Sequence, residues 1–149
     1  MPPRQFDPFK PWWNAWFLTF NTNQTNPNLV YPLSVVYEYF VTHIAQFVKP
    51  KPGVRILKVE QNSSIEQGPK YHRYHIHAVL AVRSTGLLDL DYYKISTFFG
   101  LQLSQVPGFK TIAFHHQIFE GYNKVRNAQE YLNKAPIPIQ RGTSRFKII

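Results

Sequence analysis

Tyr71-His72-Arg73-Tyr74-His75-Ile76-His77-Ala78-Val79-Leu80-Ala81-Val82 is the stretch that decides the fold. Side chains of an extended strand alternate between two faces. Tyr74, Ile76, Ala78, Leu80 and Val82 therefore share one face, whose apolar character sets it against a core. His75 and His77 share the opposite face. Two imidazoles at this spacing can clasp one divalent cation once a third ligand joins them. An isolated His-x-His is a weak motif, so its weight depends on what stands beside it.

Upstream, Val54 to Glu60 predicts a second strand, joined to Tyr71–Val82 as a hairpin through a polar loop holding Gly68 and Pro69. Leu57 and Val59 mark its core face, which puts Lys58 and Glu60 on the histidine face. Glu60, at the strand's end, is the expected carboxylate ligand, and Glu66, in the loop, is the weaker candidate. Two histidines and a carboxylate, with positions left for water or phosphate oxygens, suit Mg²⁺ or Mn²⁺ on a phosphate substrate.

Working outward, Trp16 to Asn21 predicts a strand, and Leu33 to Val48 a helix. The helix carries Leu33, Val36, Tyr37, Phe40, Ile44 and Phe47 on one stripe, and Pro50 and Pro52 end it. A second helix is expected from Asp89, a candidate N-cap, to Phe99, with Gly100 as its stop. Lys110 to Phe119 predicts a strand. Tyr122 to Lys134 predicts a last helix, stopped by Pro136. The order βαββαβα gives an α+β fold: a four-to-five-stranded antiparallel sheet with helices on one face and the other face open for ligands. RNA-recognition domains share that layout, so the fold alone does not decide function.

The 149 residues suit one domain, with a core over about residues 12–136 and loosely packed tails. No run approaches the roughly 18–20 apolar residues of a membrane span. Met1 to Lys10 mixes Pro, Arg, Asp and Lys, unlike a secretory signal. With no cysteine, disulfides and zinc–thiolate sites are excluded. Lysine and arginine number 17 against 8 acidic residues, a net charge of +9 that favours a polyanionic partner. Aromatics at 16% strengthen the case for single-stranded nucleic acid, because bases stack on rings while cations follow phosphates. A membrane surface would instead call for a basic amphipathic helix, and none is evident.

In the last predicted helix, Val125, Ala128 and Leu132 form a narrow packing stripe. Tyr131 falls at its edge, about 60° beyond Ala128 at ~100° per residue. Lys134 is three residues further, on a neighbouring surface position. A phenol with a pKa near ~10 is a poor nucleophile, and a nearby ammonium and metal ion would favour its phenolate. The same positions also suit Tyr131 as a boundary residue and Lys134 as a cation at the helix C-terminus.

Taken in chain order, these pieces resemble the HUH endonuclease domain of replication initiators from circular single-stranded DNA viruses, such as geminiviruses and circoviruses. Trp16-Phe17-Leu18-Thr19-Phe20 is similar to the family's first motif, His75-Ile76-His77 to its metal pair, and Tyr131-Leu132-Asn133-Lys134 to its YxxK helix. Glu60 stands where the upstream carboxylate is expected, and Phe114-His115-His116 adds to the likeness. Order and spacing agree over about residues 16–135, although each motif is loose by itself.

The resemblance implies that Tyr131 attacks a phosphodiester at an origin stem-loop, leaving a 5′-phosphotyrosine link and a free 3′-hydroxyl, and that the reverse attack rejoins the strand. It implies a Mn²⁺ or Mg²⁺ ion on Glu60, His75 and His77, with Lys134 managing charge or a proton. Trp16, Thr19, Lys58, Lys70, Tyr71 and Arg73 are the expected DNA contacts. Family initiators usually carry a helicase domain. This chain has no Gly-rich phosphate loop, so a helicase is expected in trans or in a removed C-terminal segment. The expected location is the host nucleus for a eukaryotic virus and otherwise the cytoplasm, without secretion.

Two other readings remain. Small tyrosine transposases of the same class resemble a Tyr followed by Gln rather than Lys. A non-catalytic RNA-recognition-like module should carry exposed aromatics and a glycine in its central strands, and Tyr71 to His77 has no glycine.

Overall fold

The computed structural model describes residues 12–68, 70–109, 111–118, 127–128 and 145–146. Strand β1 (Trp12–Thr22) leads to helix α1 (Val30–Thr42), and a 3-10 turn at Ile44–Phe47 follows it. Strands β2 (Ile56–Gln67) and β3 (Tyr74–Ser84) come next, then α2 (Tyr92–Ser104), β4 (Thr111–Ile118) and β5 (Arg145–Phe146). One antiparallel sheet contains all five strands, in the order β4-β1-β3-β2-β5. The α+β class and the antiparallel sheet are as expected. No described helix is long and apolar enough to cross a membrane.

The alternation of β3 carries the architecture. Ile76, Ala78, Leu80 and Val82 are fully buried, and their partners Phe20, Leu18, Trp16 and Asn14 on β1 lie on the same face. Helices α1 and α2 cover this face through Leu33, Tyr37, Phe40, Ile95, Phe99 and Leu103. Phe20 is its aromatic centre, stacked on Phe99 at 4.1 Å and on Phe114 at 4.8 Å between ring centroids. The opposite face carries the odd-numbered residues of β1 and β3. It is not wholly open: Ala15, Val79 and Ala81 are buried there, with Trp13, Phe17 and Ala128 packed against them. Asn127 and Ala128 are helical and are the only described part of the last predicted helix.

Several boundaries differ from the sequence expectation. Strand β2 runs on to Gln67, through residues read as loop. Its register with β3 shifts between Ile56 and Lys58, so Leu57 has no partner and is 43% exposed rather than core-facing. Such an extra residue is a β-bulge. The first helix starts at Val30 and passes into a 3-10 turn, although its predicted stripe is largely the buried one. The N-cap of α2 is Asp91, whose side chain accepts from Lys94 N at 3.0 Å, and not Asp89. Asp89 instead faces Lys49, at 3.5 Å. Gly100 lies within α2 and does not stop it. A helical glycine costs about 1 kcal/mol, and burial of Leu103 in the next turn outweighs that. At the far end, read as a loose tail, Arg145 and Phe146 pair with Asn62 and Gln61.

Candidate metal centre

The β2–β3 hairpin builds the site. Glu66 is the direct cross-strand partner of His75, and Ser64 is that of His77. Opposed residues of an antiparallel pair point to the same side, so Glu66, His75 and His77 gather on the face away from α1 and α2. One donor atom from each lies within 4.8 Å of those of the other two. Glu66 Oε2 is 3.5 Å from His75 Nε2 and 3.6 Å from His77 Nε2. Ligand bonds of about 2.1 Å at 90–110° put neighbouring donors about 3.0–3.5 Å apart. The carboxylate oxygen therefore stands nearly at ligand spacing from both imidazoles, too far for strong hydrogen bonds and near enough to share a cation. The three side chains are 19–25% exposed, which leaves the site open to solvent and ligand.

The surroundings orient the donors. Thr19 Oγ1 lies 3.1 Å from His77 Nδ1, and the Phe17 ring flanks His77 at 5.4 Å. Ser64 Oγ stands 3.5 Å from Glu66 Oε1, leaving Oε2 to face the histidines. Burial, reinforced by the neighbouring His75, pulls the His77 pKa below its ordinary value, and the Glu66 carboxylate opposes this. A neutral imidazole is the form that binds metal.

The hairpin turn projects directly beyond the triad. Gly68 N donates to Arg73 O at 2.9 Å, and His72 N to Gly68 O at 3.0 Å. His72 has a φ of 56°, a left-handed conformation that histidine tolerates better than most residues. Tyr71 is 62% exposed, with Lys70 Nζ 5.4 Å and the Arg73 guanidinium 5.1 Å from its ring. The turn thus groups an exposed ring with two cations.

Glu60 is not part of the cluster. Its register partner is Ala81, and it pairs with Lys58 at 3.4 Å. Five strand residues separate it from Glu66, a rise of roughly 20 Å along the strand. Glu60 thus has the right face and the wrong row, and Lys58 lies at that same far end. Trp16 is only 2% exposed, its indole N–H donating to the Tyr92 hydroxyl at 3.1 Å, so its ring faces the core rather than a DNA strand. Thr19 meets His77. Tyr131 and Lys134 lie outside the described residues, while Ala128 packs on the triad's side of the sheet. Exposed His115, which the sequence offered only through resemblance, is the β4 partner of Thr19 and occupies the same row as His77.

Comparisons with protein-family models, with curated proteins and with solved structures return no match for this chain.

Proposed function

We propose that the chain is a metal-dependent nuclease domain that nicks and rejoins single-stranded DNA, of the HUH initiator type, with Glu66 as the carboxylate ligand in place of Glu60. The observation that carries this reading is the Glu66–His75–His77 cluster on the helix-free side of an antiparallel sheet. A Mn²⁺ or Mg²⁺ ion held there would polarise a phosphate oxygen and offset charge growing on it. The net charge of +9 and the Lys70–Tyr71–Arg73 turn supply cations and a stacking ring beside that position. Tyr131, three residues beyond Ala128, which packs on the triad's side of the sheet, is the proposed nucleophile.

In the proposed reaction the Tyr131 phenolate oxygen forms a bond to phosphorus. The bond from phosphorus to the 3′-oxygen breaks, and that oxygen takes a proton from Lys134 or water. The 5′-phosphate stays on the tyrosine, and attack by a 3′-hydroxyl reverses both bonds. The substrate is a single strand at an origin stem-loop, and unwinding falls to a helicase in trans or on a further segment. Incubating the protein with labelled single-stranded oligonucleotides and Mn²⁺ tests this. The expected result is a covalent protein–DNA band that Tyr131→Phe removes while DNA affinity persists. Cleavage undiminished in Tyr131→Phe would refute the tyrosine mechanism. Binding without any cleavage, and with RNA preferred, would favour a non-catalytic module.

A further inference from the structure

Thr19 and His77 are direct register partners on β1 and β3, with Thr19 Oγ1 3.1 Å from His77 Nδ1. That is hydrogen-bond distance between nitrogen and oxygen. The other nitrogen of the same ring, Nε2, is the one that faces Glu66 Oε2. A neutral imidazole carries one proton, so the nitrogen that binds a cation leaves the proton on the other. A hydroxyl that accepts from Nδ1–H therefore fixes both the tautomer and the ring plane.

We propose that Thr19 is a positioning residue of the cation site, accepting a hydrogen bond from His77 Nδ1–H so that Nε2 stays unprotonated and aimed at the metal. The proposal rests on reading Glu66, His75 and His77 as a metal centre. It gives Thr19 a role distinct from touching DNA. Three observations make the hydroxyl a firm support. Strand β1 is paired on both sides at this row, to His77 on β3 and His115 on β4, so the backbone of Thr19 is held. Threonine is stiff at χ1, which limits where its oxygen can point. The Phe17 ring, 5.4 Å from His77, flanks the imidazole. The Nδ1 contact makes His77 the anchored ligand.

Calorimetric Mn²⁺ titration of wild type, Thr19→Val and Thr19→Ser tests the assignment, with melting temperature as the control for folding. Valine keeps the shape and removes the oxygen, and Thr19→Val should weaken Mn²⁺ binding by about 10- to 100-fold. Thr19→Ser should remain close to wild type. Ring ¹⁵N shifts of the metal-free protein near neutral pH should show His77 protonated on Nδ1 in wild type and displaced toward Nε2–H in Thr19→Val. Unchanged Mn²⁺ affinity in Thr19→Val, or Nε2–H in wild type, would overturn the positioning role alone. Equal losses in the Val and Ser variants with lowered melting temperatures would assign Thr19 to packing and overturn it too. Absence of Mn²⁺ binding in wild type would overturn the metal centre with it.

Discussion

His77 is the residue on which the site depends most, because it is partly buried, hydrogen-bonded and turned toward both Glu66 and His75. His77→Ala should abolish most of the rise in melting temperature that Mn²⁺ produces by binding the native state. A scan with and without Mn²⁺ reads this directly, and an undiminished shift would count against the site. Acid should act in the same direction. Burial and His75 lower the His77 pKa below its ordinary 6.5, so the folded protein holds this proton less readily than the unfolded chain. The stability this confers is complete above pH 6.5 and is lost as pH falls through the lowered value. Protons also compete with the cation for both imidazoles, so Mn²⁺ affinity should fall over the same range. Melting curves and titrations from pH 7.5 down to 5, comparing wild type with His77→Gln, check both effects.

At the scale of elements, the alternation of Tyr74 to Val82 was legible because nearly every even position is apolar and buried. The same parity correctly put His75 and His77 on the far face. What stayed hidden was the length of β2. Gln61-Asn62-Ser63-Ser64 reads as loop because its residues are polar and poor strand formers. Yet Gln61, Ser63 and Ser64 are buried, and the Gln61 side chain accepts from the Tyr37 hydroxyl at 2.8 Å. Tertiary partners overrode local preference. A turn signal was nonetheless present in the sequence Gly68-Pro69: a hairpin whose strands run as far as Gln67 and Tyr74 brings Glu66 opposite His75, whereas a loop beginning after Glu60 does not. Leu57 misled in the other direction, since a bulge turns it outward and nothing in its type announces that. The last helix is expected from the periodicity of Val125, Ala128 and Leu132; of these only Ala128 is described, and it is partly buried against the sheet. These differences give a stability prediction. Ile65→Ala, in the stretch read as loop, should cost about 2–5 kcal/mol, because Ile65 is 1% exposed. Leu57→Ser should stay within about 0.5 kcal/mol. Urea unfolding of the two variants distinguishes a buried strand from a solvated loop.

Among the described residues, α1 and α2 cover one face of the sheet and the Glu66–His75–His77 cluster stands on the other, beside the cation-flanked ring of Tyr71. A strand of DNA laid there meets cations and a ring before it meets the triad. Single-strand affinity should therefore fall steeply with salt, and Tyr71→Ala should weaken it by about 1–3 kcal/mol. Fluorescence anisotropy with oligonucleotides at 50 and 200 mM salt measures both. In the proposed function this surface and the triad form one catalytic centre, and the two carboxylates distinguish it most sharply. Mn²⁺-dependent cleavage of single-stranded oligonucleotides should be lost in Glu66→Ala and retained in Glu60→Ala, since Glu66 shares an oxygen with both histidines while Glu60 is paired to Lys58 at the far end of the strand. Cleavage by Glu66→Ala at the wild-type rate, or its loss in Glu60→Ala alone, would rule out a catalytic centre built on Glu66.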